Sequence, residues 1–361
     1  MNINNNHISA KNRFIIVIFW SISTLFLCYL LLFCSVIIFG LNNFIKPPQD
    51  QELVNALIIT LYTCIPLITA IIFKYYFKNT FWEENLIIPK NKLWFGFGLF
   101  YVIIVLIPTL IVSMAFGLVS FNQAFSPFAG TDLASLTVGN PLIDITMYII
   151  IVPFLSFFDP GGFIRIIGEE YGWRGYLLPE TIKSREVINI VAGFFFVGIV
   201  WMAFHIPFFT VLSPLYPTPE ETIILLLGCF GVFIGASLTL SWSFLKTHSI
   251  IPALSLHYIW NIINPVITGN LYSNDHGVFT GSLWLINGEG LIGGIFHLLI
   301  GLMFLFLILK DKDKLLRNYD KYLNTLDQNV DSEHSFQNRA RKKKRSSKRR
   351  TRDNWEKQIL R

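Results

Sequence analysis

Long uninterrupted apolar runs alternate with short polar connections along this chain. Eight runs, roughly 14–41, 54–73, 94–117, 139–158, 188–210, 222–245, 249–268 and 290–309, come near the ~20 residues a helix needs to cross a bilayer. Each run is continuous, whereas a transmembrane barrel would show short stretches of alternating polarity. The pattern predicts an all-α polytopic membrane protein of about eight transmembrane helices. The first run is too long for a signal-peptide core and lacks a small-residue cleavage site after it, so it reads as a retained helix. The fourth is interrupted by Pro153 and by Asp159-Pro160-Gly161-Gly162, and a second helix-prone stretch follows at about 163–178. Proline and glycine pairs break helices. A broken span or a re-entrant helix is expected there, covered by protein or lining a water-filled cavity. In the sixth run Gly231 and Gly235 form Gly-x-x-x-Gly, followed by Ala236 and Ser237, a spacing that lets two helices approach closely.

After Lys310 the apolar pattern ends. The division expected is a membrane domain over 1–310 and a polar, basic, disordered tail over 311–361. Composition agrees with the membrane class. The chain of 361 residues is 53% hydrophobic and 14% charged, against about 25% charged for soluble domains. The cysteines Cys28, Cys34, Cys64 and Cys229 fall inside apolar runs without CxxC spacing, so they read as small packing residues.

Charge adds orientation. Lys74, Lys78, Lys90 and Lys92 follow the second run, Arg165, Arg174, Lys183 and Arg185 the fourth, and Lys246 the sixth. The connections after the third, fifth and seventh runs carry no Lys or Arg. The positive-inside tendency then places both termini in the cytoplasm, and Lys11 and Arg13 fit that assignment. The net charge of +6 is concentrated in the run 339–352. That run suits anionic lipid headgroups, at ~1 kcal/mol per basic residue near the surface. It lacks the interleaved aromatics of a single-strand nucleic-acid binder.

Three polar islands interrupt the apolar sequence: Gly168-Glu169-Glu170-Tyr171-Gly172-Trp173-Arg174-Gly175, Trp201 to His205, and His257 to Asn261. Ionisable groups at membrane depth persist mainly when paired or functional. On a helix, Glu170 and Arg174 share a face at i and i+4 and can neutralise each other. Glu169 is rotated by about 100° and left to face a cavity, where an unpaired carboxylate suits a general base. His257 and Asn261 have the same i, i+4 relation. Taken singly, each island also reads as packing: a boundary charge cluster, a core histidine, an interhelical hydrogen-bond pair. Together they supply a hydrolytic site in either of two forms. A divalent metal, zinc above all, would be held by His205, His257 and Glu169 and would lower the pKa of bound water. Alternatively Glu169 activates water by itself, with His205, His257 and Asn261 stabilising the oxyanion. His297 has no ionisable neighbour in the eighth run and reads as packing.

The three islands resemble the CAAX protease and bacteriocin-processing (CPBP, or ABI) intramembrane metalloproteases. Their motifs are Glu-Glu-x-x-x-Arg, Phe-x-x-x-His and His-x-x-x-Asn/Asp, in this order. Here these are Glu169 to Arg174, continued by Gly175-Tyr176-Leu177-Leu178-Pro179; Trp201 to His205, continued by Ile206-Pro207; and His257 to Asn261. Trp201 replaces the phenylalanine of the strict second motif. The resemblance covers about 165–264. It implies a CAAX-protease-like helical bundle in the bacterial plasma membrane that hydrolyses peptide bonds of membrane proteins or peptides. Glu169, His205, His257 and Asn261 would be catalytic, with Glu170 and Arg174 in support. Bacterial members are linked to bacteriocin immunity, peptide processing and cell-envelope control. Nothing in the chain indicates a prenylated substrate. Two other readings compete: a non-catalytic membrane regulator on the same scaffold, and a proton-coupled transporter. No repeated halves with matching broken segments favour the transporter.

Overall fold

The computed structural model describes residues 8–39, 51–77, 88–128, 133–156, 160–210, 218–272 and 275–325. The basic run 339–352, Lys78 and Asp159 lie outside the described residues. Contacts divide the chain into two compact units, Met1–Asp311 and Lys312–Arg361. In the second unit, residues 312–325 are helical.

The first unit is a helical bundle. In chain order its helices are α1 (Ala10–Phe39), α2 (Glu52–Tyr76), α3 (Phe97–Ala115), α4 (Pro141–Ser156), α5 (Pro160–Glu170), α6 (Leu178–Lys183), α7 (Ile190–Thr210), α8 (Pro219–Thr247), α9 (Ile251–Thr268), α10 (Leu283–Ile286) and α11 (Leu291–Lys310). Every one of the eight apolar runs contains a helix. Six of the described helices are long and apolar enough to cross a membrane. The other two runs hold α4, of 16 residues, and α9, of 18, whose composition is diluted by His257, Asn261 and Asn264. The protein is therefore an all-α polytopic membrane protein.

α1 shows how such a helix divides its faces. Phe19, Ile22, Phe26, Phe33 and Ile37 are exposed, as expected of a lipid-facing stripe, while Trp20, Thr24 and Cys28 are buried. Thr24 and Thr69 of α2 share a hydrogen bond of 2.8 Å between their hydroxyls. α8 and α11 meet through glycines. A Cβ added at Gly231 would strike the Gly294 carbonyl, and one at Gly235 would strike the carbonyl of His297. The Gly-x-x-x-Gly spacing therefore marks a real backbone-to-backbone seam.

Three links between distant connections report on topology. Arg13 pairs with Glu180 at 2.9 Å. Two short strands, β1 (Val119–Phe121) and β2 (Phe279–Gly281), pair antiparallel with Ser120 opposite Thr280. Lys246 lies 3.6 Å from Asp311. Each link joins points separated by an even number of the eight expected spans, as it must if both ends lie on one side of a bilayer.

The break in the fourth run is resolved into two pieces. α4 ends at Ser156, and α5 begins at Pro160 with Gly161 and Gly162 in its first turn. One expectation needs correction. Arg165 and Arg174 are not connecting-loop charges. Arg165 lies in α5 and donates to Thr60 Oγ1 of α2 at 2.9 Å, and Arg174 is 1% exposed inside the bundle. Of the four cations counted after the fourth run, Lys183 and Arg185 remain as connection charges.

The cysteines stay unpaired; Cys28 and Cys229 are buried, and Cys34 and Cys64 are partly so. His297 packs as expected: its Nδ1 shares a 2.7 Å hydrogen bond with the Tyr101 hydroxyl, and its ring stands edge-on to Trp260.

Candidate active site

The first polar island lies where the helix changes its winding. α5 ends at Glu170, Tyr171–Leu177 form a π-helical turn, and α6 resumes at Leu178. Such turns are rare and recur at functional sites. The segment can enter the bundle because two of its side chains are missing. A Cβ at Gly168 would collide with the Thr63 carbonyl of α2, and one at Gly172 with Pro66. Lys74 of α2 reaches Tyr171 and donates to its hydroxyl at 3.1 Å.

Glu170 is fully buried and heavily bonded. Arg174 Nη1 donates to Glu170 Oε1 at 3.1 Å and to Oε2 at 3.0 Å. His257 Nδ1 lies 2.9 Å from Oε1. The i, i+4 pairing read from the sequence is thus present, and it also captures a histidine from α9. The guanidinium stacks on the Trp201 ring, 3.9 Å from its centroid. Trp201 therefore supports the arginine of the first island as well as packing near both histidines. One ion pair ties together α5, the π-helical turn, α7 and α9. Removing a partner from such a buried pair leaves an uncompensated charge.

Glu169 is different. It is 6% exposed, and its Oε2 is buried with no hydrogen-bond partner among the described residues. Its neighbour is His205, whose Nε2 stands 3.9 Å away. That is too long for a direct hydrogen bond, yet both atoms can contact one water molecule. His205 Nδ1 lies 3.1 Å from the Trp201 carbonyl. A carbonyl only accepts, so the network assigns the proton to Nδ1 and the lone pair of the neutral ring to Nε2, toward Glu169. Pro207 breaks the helix ladder just beyond. It cannot donate to the Ala203 carbonyl, and Tyr29 of α1 donates to that carbonyl instead at 2.8 Å. Tyr62 of α2 bonds the Phe204 carbonyl at 2.5 Å. These two tyrosines fix the backbone that presents His205.

The structure thus brings Glu169 to His205, and Glu170 to Arg174 and His257. Asn261 is placed one helical turn beyond His257, exposed, on the wall of a cleft of about 200 Å³. The cleft is lined by Trp260, Asn261, Asn264, Pro265, Asn270, Leu271, Tyr272 and Glu289. Glu289 was missed by sequence reasoning. Its signal was a single acid between Gly288 and Gly290, directly before the eighth apolar run and without a basic neighbour.

His205 has the tautomer of a metal ligand, with Nδ1 donating to a carbonyl and the lone pair on Nε2. His257 holds Glu170 through Nδ1, and its Nε2 is a ligand when the ring is neutral and a donor when it is protonated. Among the described residues, however, no three His, Cys, Asp or Glu side chains are arranged to hold a metal ion. The donor chemistry fits a divalent ion; the spacing does not close a ligand set.

A polytopic helical membrane protein with a buried carboxylate–imidazole site is the class that fold and site define together. Residues 140–263 match the Rce1-like family, type II CAAX prenyl endopeptidase Rce1-like, so about a third of the chain is similar to that family. The match begins upstream of the expected 165 and takes in α4. Comparison with curated proteins gives no match.

Proposed function

We propose that this protein is an intramembrane endopeptidase that hydrolyses peptide bonds of membrane proteins or peptides with water activated by Glu169. The observation that carries the reading is the unequal treatment of two adjacent glutamates. Glu170 is neutralised by Arg174 and bonded to His257. Glu169 is buried with an unsatisfied oxygen facing a histidine. A structural charge cluster would satisfy both; a general base needs one carboxylate that can accept a proton.

The step balances without further reagents. Glu169 takes a proton from water, and the water oxygen bonds to the scissile carbonyl carbon. The resulting oxyanion is stabilised by donors of the site, with His257 and Asn261 the candidates. The carbon–nitrogen bond then breaks, and the proton on Glu169 passes to the leaving amine. Glu170 acts through His257, fixing its tautomer and orientation. A zinc ion, if bound, would be held by Glu169, His205 and His257 and would supply a Lewis acid for the carbonyl. No step above is routed through it. Metal analysis of the purified protein, before and after chelation, tests that addition separately.

The wider setting belongs to the same proposal: the bacterial plasma membrane, both termini cytoplasmic, the basic run 339–352 on anionic headgroups, and a role in bacteriocin immunity, peptide processing or envelope control. The matched family is described by prenyl substrates; the proposal stops at the peptide bond, because nothing in this chain selects a prenyl group. The test compares peptide termini in membranes of cells expressing wild type or Glu169→Ala at matched protein level. New termini are expected with wild type only. Identical termini would overturn the reading and favour a regulator or a transporter.

A further inference from the structure

The cleft beside Asn261 holds a carboxyl group, that of Glu289, with no ion-pair partner in direct contact among the described residues. Glu289 makes no ion pair with Lys, Arg or His among the described residues, and none of those residue types lines the cleft. A charged group held in a membrane-type bundle is costly unless it is compensated. Glu289 is also held in place. The Trp260 indole N–H donates to its Oε1 at 2.8 Å. The loop that carries it is fastened to α9: Thr268 Oγ1 donates to Asn264 Oδ1 at 2.7 Å, the Gly288 amide donates to the same oxygen at 3.2 Å, and Asn264 Nδ2 donates to Asn287 Oδ1 at 3.3 Å. A Cβ at Gly288 would collide with Asn264 Oδ1. The cost of burying this carboxylate has therefore been fixed into the fold on a rigid support.

The surroundings have one chemistry in common. Trp260 and Tyr272 offer aromatic faces, which attract cations. Asn261 offers a carboxamide oxygen, while that of Asn264 is taken up by Thr268 and Gly288. Glu289 offers a charge-assisted acceptor, stronger than a neutral one. The cleft volume of about 200 Å³ lies below the roughly 300–1,000 Å³ usual for pockets that hold a whole small-molecule ligand, which limits its occupant to a group the size of one side chain. We propose that this cleft is a substrate-recognition subsite for a basic side chain, an ammonium or guanidinium group held by Glu289 next to Asn261. The inference rests on the endopeptidase reading, since it names a substrate feature of that site; Glu289 is a specificity residue in it and takes no part in the bond cleavage.

The test uses the full chain in lipid nanodiscs and three probes: N-acetyl-arginine amide, N-acetyl-norleucine amide, and norleucine amide with a free α-amine. Calorimetric titration is expected to show the arginine probe binding at least about tenfold more tightly than its norleucine counterpart, the scale of one charge-assisted hydrogen bond. Glu289→Gln should bring the two to near parity, Glu289→Asp should keep part of the preference, and Glu169→Ala should leave it intact. Equal binding of the blocked probes to wild type overturns the subsite without recourse to any variant. Preference for the free α-amine over the arginine probe overturns it as well, and assigns the cleft to a chain terminus. Peptide cleavage then separates the two claims. Cation binding without cleavage retains the subsite and removes the endopeptidase. Cleavage that ignores Lys or Arg against norleucine at every position removes the subsite and retains the endopeptidase.

Discussion

Two seams of this bundle bury opposite things. Where the α5 and π-helical segment meets α2, α7 and α9, the bundle buries ions: Glu170, Arg174 and Glu169, with two imidazoles partly covered. Where α8 meets α11 it buries bare backbone, Gly231 against Gly294 and Gly235 against His297. The glycine seam gains close van der Waals contact and needs nothing in return, which is how helices associate where lipid is as apolar as leucine. The ionic seam carries desolvation cost that well-packed apolar residues would avoid. The ionic seam retains such a cost and, among the described residues, leaves one oxygen of Glu169 unsatisfied, as the proposed hydrolysis requires.

The comparison breaks first at Glu169. If the ionic seam exists for hydrolysis, Glu169→Gln should lower cleavage by about 10²–10⁴-fold, the range for loss of a general base, with the thermal melt of the purified protein close to wild type. A large drop in the melt with activity retained per folded molecule would make Glu169 structural instead. Arg174→Met should act on stability. It strands the Glu170 carboxylate in the interior, for a loss of about 3–5 kcal/mol, read by denaturant titration in detergent. Glu170→Gln combined with Arg174→Met should recover most of that loss, because no lone charge is left, but no activity, because His257 loses its carboxylate. A double variant as unstable as Arg174→Met would contradict the desolvation account.

The glycine seam should respond differently. Gly235→Val forces a side chain into the His297 carbonyl and should destabilise by about 1–3 kcal/mol or more, as overpacking does, while the melt of the ionic seam variants stays unrelated to it. The effects of Gly235→Val and Arg174→Met should add, since the sites share no partner; strong non-additivity would show the seams to be one cooperative unit. The smallest effect is expected at Tyr29→Phe. It removes the hydrogen bond to the carbonyl that Pro207 leaves open, worth about 0.5–1.5 kcal/mol, and should loosen His205 enough to reduce cleavage by less than Glu169→Gln does.

Much of this was legible in advance. The eight helices follow from run length, the glycine seam from Gly231 and Gly235, and the Glu170–Arg174 bond from their i, i+4 spacing, because each depends on residues near one another along the chain. The charge count after the fourth run misled at Arg165 and Arg174, since composition does not say whether a cation beside a broken helix points to water or to a buried carboxylate. Glu289 was illegible because its meaning lies in Trp260 and Asn264, more than twenty residues away.

The sequence by itself determined the class, the helices and the set of polar residues, because the bilayer requires long apolar runs and makes every exception conspicuous. Only the tertiary structure decided which glutamate is bonded to both an arginine and a histidine and which is left open, that His257 belongs to Glu170 while His205 faces Glu169, and that Asn261 opens onto a cleft with its own carboxylate. Those assignments depend on how α2, α5, α7 and α9 pack against one another, and no spacing along a single helix encodes the distance between two.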